Sequence, residues 1–172
     1  MSTYWLTRTA MFLALTVLCQ SLRVMLPLPP TFSFFVIGSL VNACLLTTAR
    51  MLGITSALII CCIAPVIAYF QHMLPVPLLI IPVAAGNALM VFIYLSYNST
   101  RIWSAISLAA LGKMILLYTS VLWLLTNFIK LPSRAAELVI FVMGWPQLVT
   151  VITGGFLAQL VVVRLARRNI TK

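Results

Sequence analysis

Apolar residues in this chain arrive in blocks of about 20, long enough at 1.5 Å per residue to cross roughly 30 Å of hydrocarbon as helix. The apolar/polar alternation of a barrel strand is missing. In lipid every backbone N–H and C=O has to be satisfied within the protein, so this pattern predicts an all-α six-helix transmembrane bundle. The spans read as 5–22, 32–51, 54–73, 77–97, 102–127 and 137–163, in a single transmembrane domain covering residues 1–172. Proline, glycine or polar residues end each block: LPLPP (26–30), Gly53, MLPVP (73–77), YNSTR (97–101) and KLPSR (130–134).

Composition agrees, since 7% charged residues is far below the quarter or so that a soluble domain carries. Connecting loops are short throughout, so no soluble domain is expected outside the membrane. The net charge of +10 would suggest nucleic acid in a soluble protein. Here the Lys and Arg sit mostly at the ends of apolar blocks, where they orient helices against membrane lipid, and a nucleic-acid partner is not expected. Arg8, Arg50, Arg101, Arg164, Arg167, Arg168 and Lys172 fall on one face and Arg23, Lys130 and Arg134 on the other. Seven against three predicts that both termini of a multi-pass membrane protein face the cytoplasm.

Several local motifs reduce to composition. Cys19, Cys44, Cys61 and Cys62 all lie inside apolar runs with no metal-ligand spacing, and read as small packing residues. Asn98-Ser-Thr and Asn169-Ile-Thr match the glycosylation pattern but fall on the cytoplasmic side. Span 1 resembles a secretory signal, yet Leu18-Cys19-Gln20-Ser21-Leu22 lacks the small residues of a cleavage site, so it reads as a retained helix.

Span 1 also carries Ala10-Met-Phe-Leu-Ala14, two small residues one turn apart near the cytoplasmic end. Such a pair lets another helix approach closely, because association in lipid depends on packing. With the runs TRTAMFLAL (7–15), GSLVNA (38–43), PVAAGNALM (82–90) and GWPQLVTVITGG (144–155), the chain resembles a substrate-binding S component of an energy-coupling factor (ECF) transporter, the vitamin-uptake branch of the ATP-binding cassette (ABC) transporters. The resemblance implies that Ala10 and Ala14 dock on a transmembrane coupling protein (EcfT) driven by two ATPase subunits. It also implies a prokaryotic plasma membrane, and an S component that binds its vitamin facing outward and topples to release it inward. ATP and Mg would be used by the partners, and this chain would bind no cofactor. In agreement, Gly112-Lys113 lacks the upstream glycine and the following Ser or Thr of a phosphate-binding loop.

Asn42, Asn87, Lys113, Gln147 and Thr150 fall near mid-span. A cation at the helix centre costs about 2.5–3.5 kcal/mol on insertion scales, so such residues face the bundle interior and often mark a site. Lys113 is the sharpest signal; it has no evident carboxylate partner, and either snorkels, holds carbonyls at a helix break such as Pro146, or meets an anionic ligand group. Asn42 and Gln147 are candidate ligand contacts, while Asn87 beside Gly86 equally suits an inter-helix hydrogen bond. Trp145-Pro146 is expected to free a backbone carbonyl and present an aromatic face. At the outer rim Phe35, Tyr69 and His72, with the proline-rich loop 24–31, are candidates for a gate, although aromatics there also serve as interfacial belt residues.

Catalysis finds no support: there is no Ser/His/Asp set, no paired acids and no metal cluster, and the chain has one acidic residue, Glu137. A small channel would need several polar residues per helix, and most spans offer one or two. Among S components the chain looks most like those for cobalamin and other corrinoids, whose many amides suit uncharged amide side chains. Pantothenate fits nearly as well, with its single carboxylate at Lys113.

Overall fold

The computed structural model describes residues 3–25, 29–97, 101–129 and 131–170. Asn98, Lys130, Lys172 and residues 26–28 of the proline-rich loop lie outside the described residues, as do the side chains of Arg167, Arg168 and Asn169. Over the described residues the chain is helical and has no strand. The helices are α1 (Thr3–Met25), α2 (Pro30–Leu52), α3 (Ile54–Phe70), α4 (Ile80–Ser96, after a one-turn 3-10 helix at Pro77–Leu79), α5 (Ile102–Asn127), α6 (Ser133–Met143) and α7 (Pro146–Ile170). Five segments are long and apolar enough to cross a membrane, with α6 and α7 counted as one, and α3 is a shorter apolar helix of 17 residues. This is consistent with a multi-pass membrane protein.

The side chains are sorted accordingly. Tyr4, Met11, Leu18, Phe70, Phe92 and Trp103 are more than half exposed, whereas Thr9, Thr16, Thr48, Ser56 and Thr150 are buried. That order suits a hydrocarbon surround, where the polar groups need partners inside the bundle. On α1, for example, Thr9 shares a hydrogen bond of 2.9 Å with Ser56 on α3.

Local chemistry sets the breaks. Gly53 alone joins α2 to α3 at φ +88°, a conformation that L side chains rarely adopt. Pro30 opens α2 and Pro146 opens α7, each in the first turn, where the N–H has no partner inside its own helix. The last expected span, 137–163, is therefore two helices, interrupted at Gly144 and Trp145. Pro146 cannot donate to the Val142 carbonyl four residues back, so the ladder breaks there.

α2 is central and packs against α1, α3, α4 and α7. Its tightest neighbour is α7: a Cβ on Gly154 would lie 2.7 Å from both Asn42 Cβ and the Ser39 carbonyl oxygen. The core falls into two clusters. One holds Leu45, Leu46, Met90, Val91, Ile106, Ala109 and Val151; the other holds Leu79, Leu117, Val121 and Met143. Asn87 on α4 and Lys113 on α5 lie between the residues that those helices give to the two clusters, and Asn42 on α2 and Gln147 on α7 join them in a polar layer.

Candidate functional site

Above the polar layer, on the side of the second cluster, is a cavity of about 360 Å³. Its floor is Asn42, Asn87, Lys113 and Gln147, and its walls include Phe34, Phe35, Ala64, Pro65, Val83 and the α6 segment Leu138–Met143. Exposed lining residues Arg23, Pro75, Leu138 and Phe141 mark its mouth. Arg23 at the C-terminal end of α1 and Pro75 in the turn after α3 lie at the end of the bundle opposite Arg8, Arg50 and Arg101, and Leu138 and Phe141 line the opening along α6.

Three of the four floor residues, Lys113, Asn42 and Gln147, belong to one connected chain. Lys113 Nζ donates to Asn42 Oδ1 at 2.7 Å, Asn42 Nδ2 donates to Thr150 Oγ1 at 3.3 Å, and the Thr150 hydroxyl donates to the Gln147 carbonyl at 3.1 Å. Gln147 Nε2 then reaches back across the helix break to the Val142 carbonyl at 3.2 Å. This amide takes the place of the N–H that Pro146 lacks, so the break costs no orphaned carbonyl. Lys113 is 4% exposed and Asn42 2%. An ammonium has three donors, and Asn42 is the one acceptor that Lys113 finds among the described residues.

Five of the residues singled out from the sequence as substrate contacts therefore line one cavity: Asn42, Asn87, Lys113, Gln147 and Phe35. Three do not. Trp145 is 53% exposed and stands behind the wall, its ring centroid 5.9 Å from Phe35 and 5.7 Å from Phe141. Tyr69 is half-buried, packs against the second cluster and lies 5.7 Å from Phe70. His72 is exposed with φ 57°, closing α3: its N–H bonds the Tyr69 carbonyl and the Met73 N–H bonds the Ala68 carbonyl. This is the helix-ending geometry that usually takes glycine. Ala10 and Ala14 are exposed on α1, away from the buried stripe Thr9, Thr16 and Gln20.

Sequence reasoning missed Gln20, Arg23 and Ser33 as cavity residues. Gln20 Nε2 donates to the Ala64 carbonyl at 3.2 Å, but Gln20 Oε1 and Ser33 Oγ are buried with no hydrogen-bond partner. The signal was available in Gln20, an amide more than one turn inside the end of α1. Among the described residues no three of His, Cys, Asp and Glu come together as a metal site. A second, larger concavity of about 710 Å³ between α4 and α5, lined by Ile81, Trp123 and Phe128, is apolar and lies on the outside of the bundle, where acyl chains would run. Compared with family models, curated proteins and solved structures, the chain matches none.

Proposed function

We propose that this protein is the substrate-binding subunit of an importer of the energy-coupling factor type, taking a vitamin from outside and delivering it with ATP hydrolysed by partner subunits. The observation that carries the reading is the dead-ended cavity. It opens at the end of the bundle that charge bias assigns to the outside, and beneath its polar floor the interior is filled by Leu45, Leu46, Ile106 and Val151. That filled interior supports capture over conduction, because a channel needs a continuous polar lining.

Its size bears on the cargo. About 360 Å³ is at the low end of ligand pockets, which run roughly 300–1,000 Å³. It favours a compact vitamin of pantothenate size over a corrinoid macrocycle, which would have to sit largely above the rim. The exposed Ala10 and Ala14 offer a flat strip on α1 for the coupling protein. Co-expression with a coupling protein and its two ATPases tests the reading. Replacing both alanines by leucine should abolish co-purification and leave vitamin binding intact; association unaffected by the change removes this strip as the docking face, and failure of the unaltered protein to associate removes the importer reading.

A further inference from the structure

The cavity floor holds an unusual charge arrangement. Lys113 is buried at the twelfth position of a 26-residue helix, and the chain's one acidic residue, Glu137, is exposed on α6. A buried cation without a counter-ion is costly, and one neutral amide acceptor compensates only part of its lost hydration. Two donors of the ammonium remain for something inside the cavity. Further up the wall, Gln20 Oε1 and Ser33 Oγ are buried and unpartnered, and Gln20 and Ser33 are 5% and 2% exposed. Arg23 at the mouth puts a second positive charge on the way in. A neutral molecule can meet the open donors and acceptors but brings no counter-charge to Lys113. A carboxylate would complete Lys113, and an O–H or N–H on the same ligand would satisfy Gln20 Oε1, which can only accept.

We infer that the cavity binds a small monocarboxylate bearing hydroxyl or amide donors, its carboxylate held by the Lys113 ammonium beside Asn42 and its donor groups directed to Gln20 and Ser33. The inference rests on the substrate-capture reading and narrows its cargo to organic acids. The positive mouth draws the anion in, and the charge that the protein's own groups leave uncompensated becomes the source of selectivity.

The test pairs acids with neutral analogues by calorimetric titration of the detergent-solubilised protein: pantothenate with panthenol, biotin with biotin amide, and cobalamin and thiamine as compounds without a free carboxylate. One acid should bind, with its neutral analogue weaker by roughly 10- to 150-fold, as expected for loss of a charged hydrogen-bond pair. Lys113→Met should erase that preference and Lys113→Arg should retain part of it. The comparison of acid with neutral analogue on the unaltered protein stands even if Lys113→Met fails to fold. Equal or tighter binding of cobalamin, thiamine or a neutral analogue overturns the carboxylate assignment while leaving vitamin capture in place. Absence of binding across the panel, by protein with a cooperative thermal transition, overturns it too, and association with the coupling protein then judges the importer reading separately.

Discussion

Lys113 on α5 and Asn42 on α2 are joined at 2.7 Å in the middle of the bundle, and the same asparagine bonds Thr150 on α7. One amide thus ties three helices at the cavity floor, using its oxygen toward the cation and its nitrogen toward the hydroxyl. Asn42→Asp should discriminate between structural and ligand-binding roles for Lys113. The new carboxylate sits where Oδ1 already accepts, so it supplies an internal counter-ion and should hold or raise the thermal midpoint. The same change should abolish binding of an organic acid, because the cation is neutralised from within. Asn42→Leu should instead cost about 2–3 kcal/mol, since it strands a buried charged donor. Thermal unfolding and acid titration of both variants would check this; an Asn42→Asp protein that still binds the acid as before would remove Lys113 from the site.

Gln147 and Pro146 form a compensating pair. The proline withdraws the N–H due to the Val142 carbonyl, and the neighbouring glutamine side chain restores a donor at 3.2 Å. Gln147→Leu should therefore cost about 1–3 kcal/mol, the penalty of an unsatisfied carbonyl in a medium without water. Pro146→Ala returns the backbone donor, so the double variant should be less destabilised than Gln147→Leu alone. A double-mutant cycle on thermal stability measures the coupling. Simple additivity would show that the side chain does not stand in for the missing N–H.

How much of this was legible from sequence follows from the kind of physics involved. Spans are written in runs of apolar residues, and the polar floor announces itself because Asn42, Asn87, Lys113 and Gln147 are expensive anywhere but inside. The unpartnered wall residues were harder. Gln20 and Ser33 sit near helix ends, where a polar side chain reads as interfacial unless the facing helix is known, and Ala64 on α3 is what makes Gln20 interior. Tyr69, His72 and Trp145 failed as lining residues for the converse reason. Their sequence positions put them at the rim, but only the turn after α3 and the break before α7 determine which side of the wall each ring occupies.

Glycine positions with the same sequence appearance should differ sharply. A Cβ on Gly154 would meet Asn42 Cβ and the Ser39 carbonyl at 2.7 Å and the Ala43 nitrogen at 3.0 Å, all parts of α2 that cannot move independently. The three atoms nearest a Cβ on Gly86 would all belong to one side chain, Leu117, with Cγ at 3.0 Å and Cδ2 at 3.3 Å, and none to backbone. Gly154→Ala should cost about 2–3 kcal/mol and weaken ligand binding by pushing α7 from α2 and displacing Asn42. Gly86→Ala should change stability by less than about 1 kcal/mol, because alanine's better helix propensity offsets the crowding. Unfolding of the two variants in the same detergent makes the comparison.

His72 is the last case, where the sequence suggested a ligand contact and the backbone gives another reason for attention. It is the one residue other than glycine with positive φ among those described, at 57°, and its N–H and that of Met73 close the end of α3. The left-handed conformation costs a side-chain-bearing residue about 1–2 kcal/mol, which glycine avoids while giving back roughly 0.5–1 kcal/mol in chain entropy. His72→Gly should therefore leave stability equal or raise it by up to about 1 kcal/mol, and should leave affinity for the ligand unchanged, since the imidazole is exposed outside the cavity. Thermal unfolding and titration on one preparation read both quantities. A tenfold loss of affinity with stability intact would bring His72 back to the binding site, by a closure of the α3 turn over the mouth.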